Sequence, residues 1–168
     1  MKLSQILLPE IDQEMATTRK LLERVPDDRL GWKPHDKSMS LGRLATHVAE
    51  IPGLAARVMT QELHDMNPPG GPGYQPKTLG SHAEMVELFD TNVANARALI
   101  ESAEDEAMKQ TWSLKNGDHA IFTLPRAAVL RGLFLNHLIH HRGQLSVYLR
   151  LNDVPVPSIY GPSADEGF

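Results

Sequence analysis

The stretch LNHLIHHRGQL at 135–145 carries three histidines, His137, His140 and His141, in a segment whose apolar spacing predicts a helix. The core stripe predicted for it runs Leu130, Phe134, His137, His141, Leu145 and Tyr148. His137 and His141 thus stand one turn apart at positions where the pattern asks for apolar side chains. A buried neutral imidazole needs partners for both ring nitrogens, and leaving one unmade costs about 1–3 kcal/mol. A divalent cation removes that difficulty. Neutral imidazole is a good zinc or nickel ligand, and residues at i and i+4 converge on one ion from one helix face. His140 falls about 60° to the other side of His137 and is expected on a flank or in solvent.

The spacing alone is weak, since eight histidines in 168 residues place H-x-x-x-H by chance in about one such chain in three. Register strengthens it. On an earlier predicted helix, His47 falls in line with Leu44, Ile51 and Leu54 and repeats the anomaly. Three inward histidines from two helices make a facial ligand set with positions left for water or substrate. Separately hydrogen-bonded core histidines are the competing reading. Leu138, Ile139 and His140 separate the two late histidines, so the Glu of H-E-x-x-H is missing and a zincin protease is excluded. Any general base must come from elsewhere. Arg43, one turn before His47, could reach a substrate anion or stand as a solvated flank charge. Gln144 could orient an imidazole or bond elsewhere. Trp32 reads as a core plug, and His35, His64, His82 and His119 as solvated surface residues.

Four amphipathic segments must position these groups. Leu7, Ile11, Met15, Thr18, Leu22 and Val25 predict a first helix over Leu3 to about Val25, with Pro9 in its first turns and Pro26 ending it. Ser40 suits the N-cap of a second helix, bent at Pro52. NPPGGPGYQPKTLG at 67–80 is a Pro/Gly-rich loop, either a lid or a plain crossover. Ser81 and Glu84 form a capping box for helix three. Between about 108 and 123 the period changes around Asn116-Gly117, which predicts a small hairpin with a type I′ turn. Pro125 then opens a final helix running to about Asn152. The expected fold class is all-α, a four-helix bundle with a small β-hairpin before the last helix, in one domain over residues 1–168.

Composition removes several function classes. Acidic residues outnumber Lys and Arg by 21 to 17, and the basic residues are scattered, which argues against nucleic acid as a partner. The apolar start of MKLSQILLPEID is cut by Gln5, Pro9 and Glu10, and no long apolar run follows, so the expectation is a cytoplasmic protein without membrane association. With no cysteine there is no thiolate ligand and no thiol nucleophile. Any sulfur chemistry must arrive with a ligand.

HLIHHRGQLSVYLR at 137–150, VPVPSIYGPSADE at 154–166 and WKPHDKSMSLGRLATH at 32–47 together resemble the DinB-like family, also called DinB/YfiT-like metalloenzymes, over nearly the full chain. The resemblance implies a crossed up-down-down-up four-helix bundle, often a homodimer, holding zinc or nickel through three histidines that map onto His47, His137 and His141. It also implies chemistry with small molecules, because related proteins include transferases and isomerases that use low-molecular-weight thiols. The expected function is a divalent-metal-dependent enzyme activating a small thiol, or water, for attack on an electrophile. The alternatives are a metal-dependent hydrolase and a metal- or ligand-binding bundle without catalysis. Catalytic residues are not identifiable at this level, and Arg43 and Gln144 are the candidate supports.

Overall fold

The computed structural model describes residues 2–167. It is mostly helical, with a small three-stranded sheet. Helix α1 spans Leu3–Leu22, α2 Leu41–Thr60, α3 His82–Ser102 and a short α4 Asp105–Lys109. Strands β1 (Leu63–Asp65), β2 (Thr111–Asn116) and β3 (His119–Pro125) follow the order β1-β2-β3. The last helical run is broken into α5 (Arg126–Val129), a π-helical turn (Leu130–Asn136) and α6 (His137–Leu151). Both α1 and α2 pack against α3 and α6. No helix among the described residues is long and apolar enough to cross a membrane.

Local chemistry explains the helix starts. The Ser40 hydroxyl accepts the Arg43 backbone N–H at 3.2 Å and caps α2. Ser81 does the same for Glu84 at 3.2 Å, but the Glu84 carboxylate reaches back to the Gly80 N–H at 3.0 Å rather than to that of Ser81, so only half of the capping box forms. Pro9 lies inside α1 and Pro52 inside α2. Pro125, expected within the last helix, instead ends β3 and caps α5.

The hairpin forms with Asn116 facing His119 across Gly117 and Asp118. Gly117 has φ +62° while Asp118 stays at negative φ, so the turn follows the II′ pattern rather than the expected I′. Buried Trp112 pins β2 to the core. Strand β1, parallel to β2, was not predicted: its three residues Leu63, His64 and Asp65 are too few to display an alternation.

The core stripes differ from the expected ones by one position. On the final run Leu130, Phe134, Leu138, Arg142, Leu145 and Leu149 are buried, whereas His137, His141 and Tyr148 are half-buried. The π turn, which contains Gly132 and lies just before His137, inserts a residue into the helical phase, and a strict 3.6-residue count from Leu130 therefore loses register. On α2, His47 and Leu54 likewise sit beside the buried stripe of Leu44, Val48, Ile51, Ala55 and Val58. The histidines occupy the rim of the core, where it opens to a cleft.

Arg142 takes the fully buried place. Its guanidinium pairs with the Glu14 carboxylate at 2.5 Å, donates to the Tyr160 hydroxyl at 2.6 Å and lies 5.0 Å from the Tyr160 ring centre. Tyr160 in turn donates to Glu14 at 2.8 Å. This clasp joins α1, α6 and the C-terminal segment next to His141.

Candidate metal centre

Helix α2 delivers His47 and α6 delivers His137 and His141 to one point. The Nε2 atoms of His47 and His137 are 3.3 Å apart, those of His137 and His141 2.9 Å, and one nitrogen from each ring lies within 4.8 Å of the other two. Zinc–nitrogen bonds of 2.0–2.1 Å would place ligand nitrogens about 3.3 Å apart at tetrahedral angles and about 2.9 Å apart at right angles. The spacings match what a shared ion requires.

Hydrogen bonding alone satisfies the cluster poorly. The Gln144 Oε1 atom accepts from His141 Nδ1 at 2.7 Å, which fixes the hydrogen on Nδ1 and leaves a bare lone pair on Nε2. His137 Nε2 has one lone pair or one hydrogen for two neighbouring nitrogens, so it can bond only one of them. The buried Nδ1 atoms of both His47 and His137 have no hydrogen-bond partner among the described residues. Burial, reinforced by charge on His141 and His47, pushes the His137 pKa down to about 4; burial also lowers that of His141. The His137 and His141 rings are therefore neutral near pH 7, the form a metal takes as ligand.

Glu50, one turn after His47, is the nearest carboxylate of the site. Its Oε2 is 3.8 Å from His47 Nδ1 and accepts from both terminal nitrogens of Arg43 at 3.1 Å. Arg43 also donates to the Tyr74 hydroxyl at 2.8 Å. Arg43 is thus neither a free anion receptor nor a solvated flank charge, because it is committed to Glu50. Burial raises the Glu50 pKa, but the adjacent His47 ring and the charge and hydrogen bonds of Arg43 outweigh it and hold the carboxylate below its ordinary range. Glu50 was missed in the sequence, although its i+3 spacing from His47 was a readable signal.

His47 and His137 open into a cleft of about 860 Å³ between α2, α3 and the 61–80 connection. Leu54, Leu88, Leu99, Leu114 and Leu133 give it an apolar wall. Met66, Tyr74, Lys77 and Leu79 from the Pro/Gly-rich segment and its approach form another side, anchored where the Leu79 N–H donates to Thr46 at 3.0 Å. Of the histidines read as surface residues, His64 is half-buried and lines this cleft, whereas His35 and His119 are exposed and His82 donates its backbone N–H to the Asp27 carboxylate at 2.6 Å, its ring 3.1 Å from the same group. Exposed His140 stacks edge-on against His141. Trp32 is half-buried and packs edge-on against Tyr148 at 5.4 Å.

A helical scaffold that gathers three imidazoles beside a partly apolar cleft carries a group that could hold a metal ion. The match of the DinB family model to residues 2–167 places the chain in that family: it belongs to the DinB family. It is 27% identical to YrdA of Bacillus subtilis (strain 168) over 163 residues, covering 91% of this chain and 85% of that protein. To YjoA of the same organism it is 26% identical over 133 residues, covering 79% and 80%. The crystal structure of a DinB-like protein from Bacillus cereus ATCC 10987 superposes with a TM-score of 0.68 at 24% identity, covering 91% of this chain and 95% of the other. That of YjoA superposes with a TM-score of 0.64 at 22% identity, covering 88% and 94%.

Proposed function

We propose that His47, His137 and His141 hold one divalent cation, zinc or nickel, and that the protein is a metal-dependent enzyme which activates a small thiol for attack on an electrophile. The convergence of three Nε2 atoms beside a cleft is the observation that carries this reading. A bound cation would lower the pKa of a coordinated thiol or water and so supply a nucleophile at neutral pH. Gln144 holds the His141 ring in the ligating tautomer. The leucine wall excludes water from one side of the reacting position, and Tyr74 with Arg43 fixes the loop at its mouth. The chain itself has no cysteine, so the thiol comes from solution.

In the same reading, the four long helices run up-down-down-up, with the 23–40 and 61–81 connections carrying the chain across. The protein works in the reducing cytoplasm, where small thiols persist, and as a homodimer. Hydrolysis by a metal-bound hydroxide differs only in the nucleophile. A metal- or ligand-binding role without catalysis draws on one observation: Glu50 is ion-paired to Arg43, which makes it a weak base.

Turnover of an electrophilic dye, with and without added low-molecular-weight thiols and before and after chelation, separates these readings. Thiol-dependent turnover that chelation abolishes is expected. Metal-dependent turnover without thiol supports hydrolysis, and bound metal with no turnover under either condition supports the binding role.

A further inference from the structure

We propose that the cleft binds an elongated, mainly apolar molecule that carries a carboxylate at the end remote from the imidazoles, with Arg57 as the partner of that carboxylate. That this molecule is the substrate rests on the metal centre; its binding does not. His47, Glu50, Leu54, Arg57 and Thr60 follow one another at spacings of three and four along α2 and all line the cleft. Ten residues separate His47 from Arg57, which sets them about 15 Å apart along the helix axis. Leucines lie between and opposite them.

The cleft has three charged residues in its lining, Glu50, Arg57 and Lys77. Glu50, the one carboxylate in its lining among the described residues, sits at the imidazole end and is neutralised by Arg43. At the other end stands Arg57, which no ion pair engages among the described residues; Lys77, also without an ion pair, belongs to the loop stretch held beside the start of α2 by the Tyr74–Arg43 and Leu79–Thr46 hydrogen bonds. Arg57 Nη1 has a long contact of 3.5 Å with His64 Nε2. Burial and the Arg57 charge lower the His64 pKa, so His64 is a neutral neighbour that steadies the guanidinium without satisfying its charge. The Asp65 carboxylate nearby keeps its charge but is oriented away from an ion pair with Arg57 by the backbone N–H groups of Asn67 at 2.9 Å and Gly117 at 2.8 Å, both on Oδ1. An acidic protein, at −4, thus keeps an arginine without an ion-pair partner in the lining of an apolar-walled cleft. A planar guanidinium favours a carboxylate there, because the two groups match in bidentate geometry.

Calorimetric titration of octanoate, decanoate and dodecanoate, with the matching alcohols and amines, tests this in the protein as purified and after chelation. Carboxylates are expected to bind about tenfold more tightly than the alcohols, the low end for a charge-assisted hydrogen bond, and amines more weakly than either. Arg57→Gln should remove that preference while leaving alcohol affinity in place; Arg57 is exposed, so the fold should survive. Leu54→Gln should weaken carboxylate and alcohol together. Absence of carboxylate binding overturns the assignment, as does equal affinity for the alcohols. A preference that survives Arg57→Gln, or that is lost in Lys77→Gln alone, moves the head group elsewhere and also overturns it. A carboxylate preference seen only before chelation puts the head on the ion and counts against Arg57, a preference intact after chelation supports Arg57, and carboxylate binding by protein that takes up no metal counts against the metal centre alone.

Discussion

Replacing Glu14 with alanine strands the Arg142 guanidinium in the core. The two side chains are 7% and 1% exposed and meet at 2.5 Å, so the substitution leaves an uncompensated buried charge. Removing one partner of such a pair costs about 3–5 kcal/mol. Arg142 keeps the Tyr160 hydroxyl at 2.6 Å and the Glu14 backbone carbonyl at 3.3 Å, so the low end applies, about 3 kcal/mol. For a chain of this size that lowers Tm by about 6–12 °C. Urea unfolding of the metal-free protein, monitored by far-UV circular dichroism, reads the loss as a shift in midpoint at constant slope. Glu14→Leu combined with Arg142→Met should recover most of it, because an apolar pair of similar volume needs no charge compensation. A loss below about 1 kcal/mol for Glu14→Ala, or a double variant no more stable than the single one, would refute the reasoning.

Gln144→Ala should weaken zinc affinity about tenfold to a hundredfold, measured by chelator competition, because the His141 Nδ1–H loses the acceptor that fixes its tautomer. Gly117→Ala should destabilise by about 1–2 kcal/mol in the same urea assay, since the hairpin needs φ +62° there and nothing in the cleft is touched. Acid should release the C-terminal segment. Arg150 and the Val156 N–H hold the Asp165 pKa below 3.8, and Arg24 and the Ser158 N–H hold that of Glu166 below 4.5. Carboxylates with depressed folded pKa values stabilise above their unfolded values and lose that contribution as pH falls through the folded ones. Hydrogen exchange at Val156 and Ser158, corrected for the intrinsic rate, should therefore accelerate as pH drops from about 5 to about 3, and a flat profile would count against these contacts.

Much of the site was legible because helical spacing is a rigid code. The i, i+4 pair His137 and His141 and the displaced His47 stand out in any apolar stripe, and the structure brings the three rings together. The stripe of the last helix was misplaced by one position, because the π turn at Leu130–Asn136 changes the helical phase and nothing but Gly132 marks it in the sequence. Buried Arg142 escaped notice for the reason that hides most buried charges: its partners, Glu14 and Tyr160, are remote in the chain. Arg57 and His64 were likewise unreadable as a pair, since only the turn from α2 into β1 brings them together. Strand β1 gains its order from pairing with β2, a nonlocal contact that propensity does not encode.

Elemental analysis of the untagged protein, beside the His47→Ala, His137→Ala and His141→Ala variants, tests the metal centre most directly. The wild type should carry about one zinc or nickel ion per chain, and each variant should lose it while keeping the helical circular dichroism, because the core does not depend on these half-buried rings. Wild-type protein that takes up neither ion after incubation, or variants that retain it, would contradict the three-histidine centre.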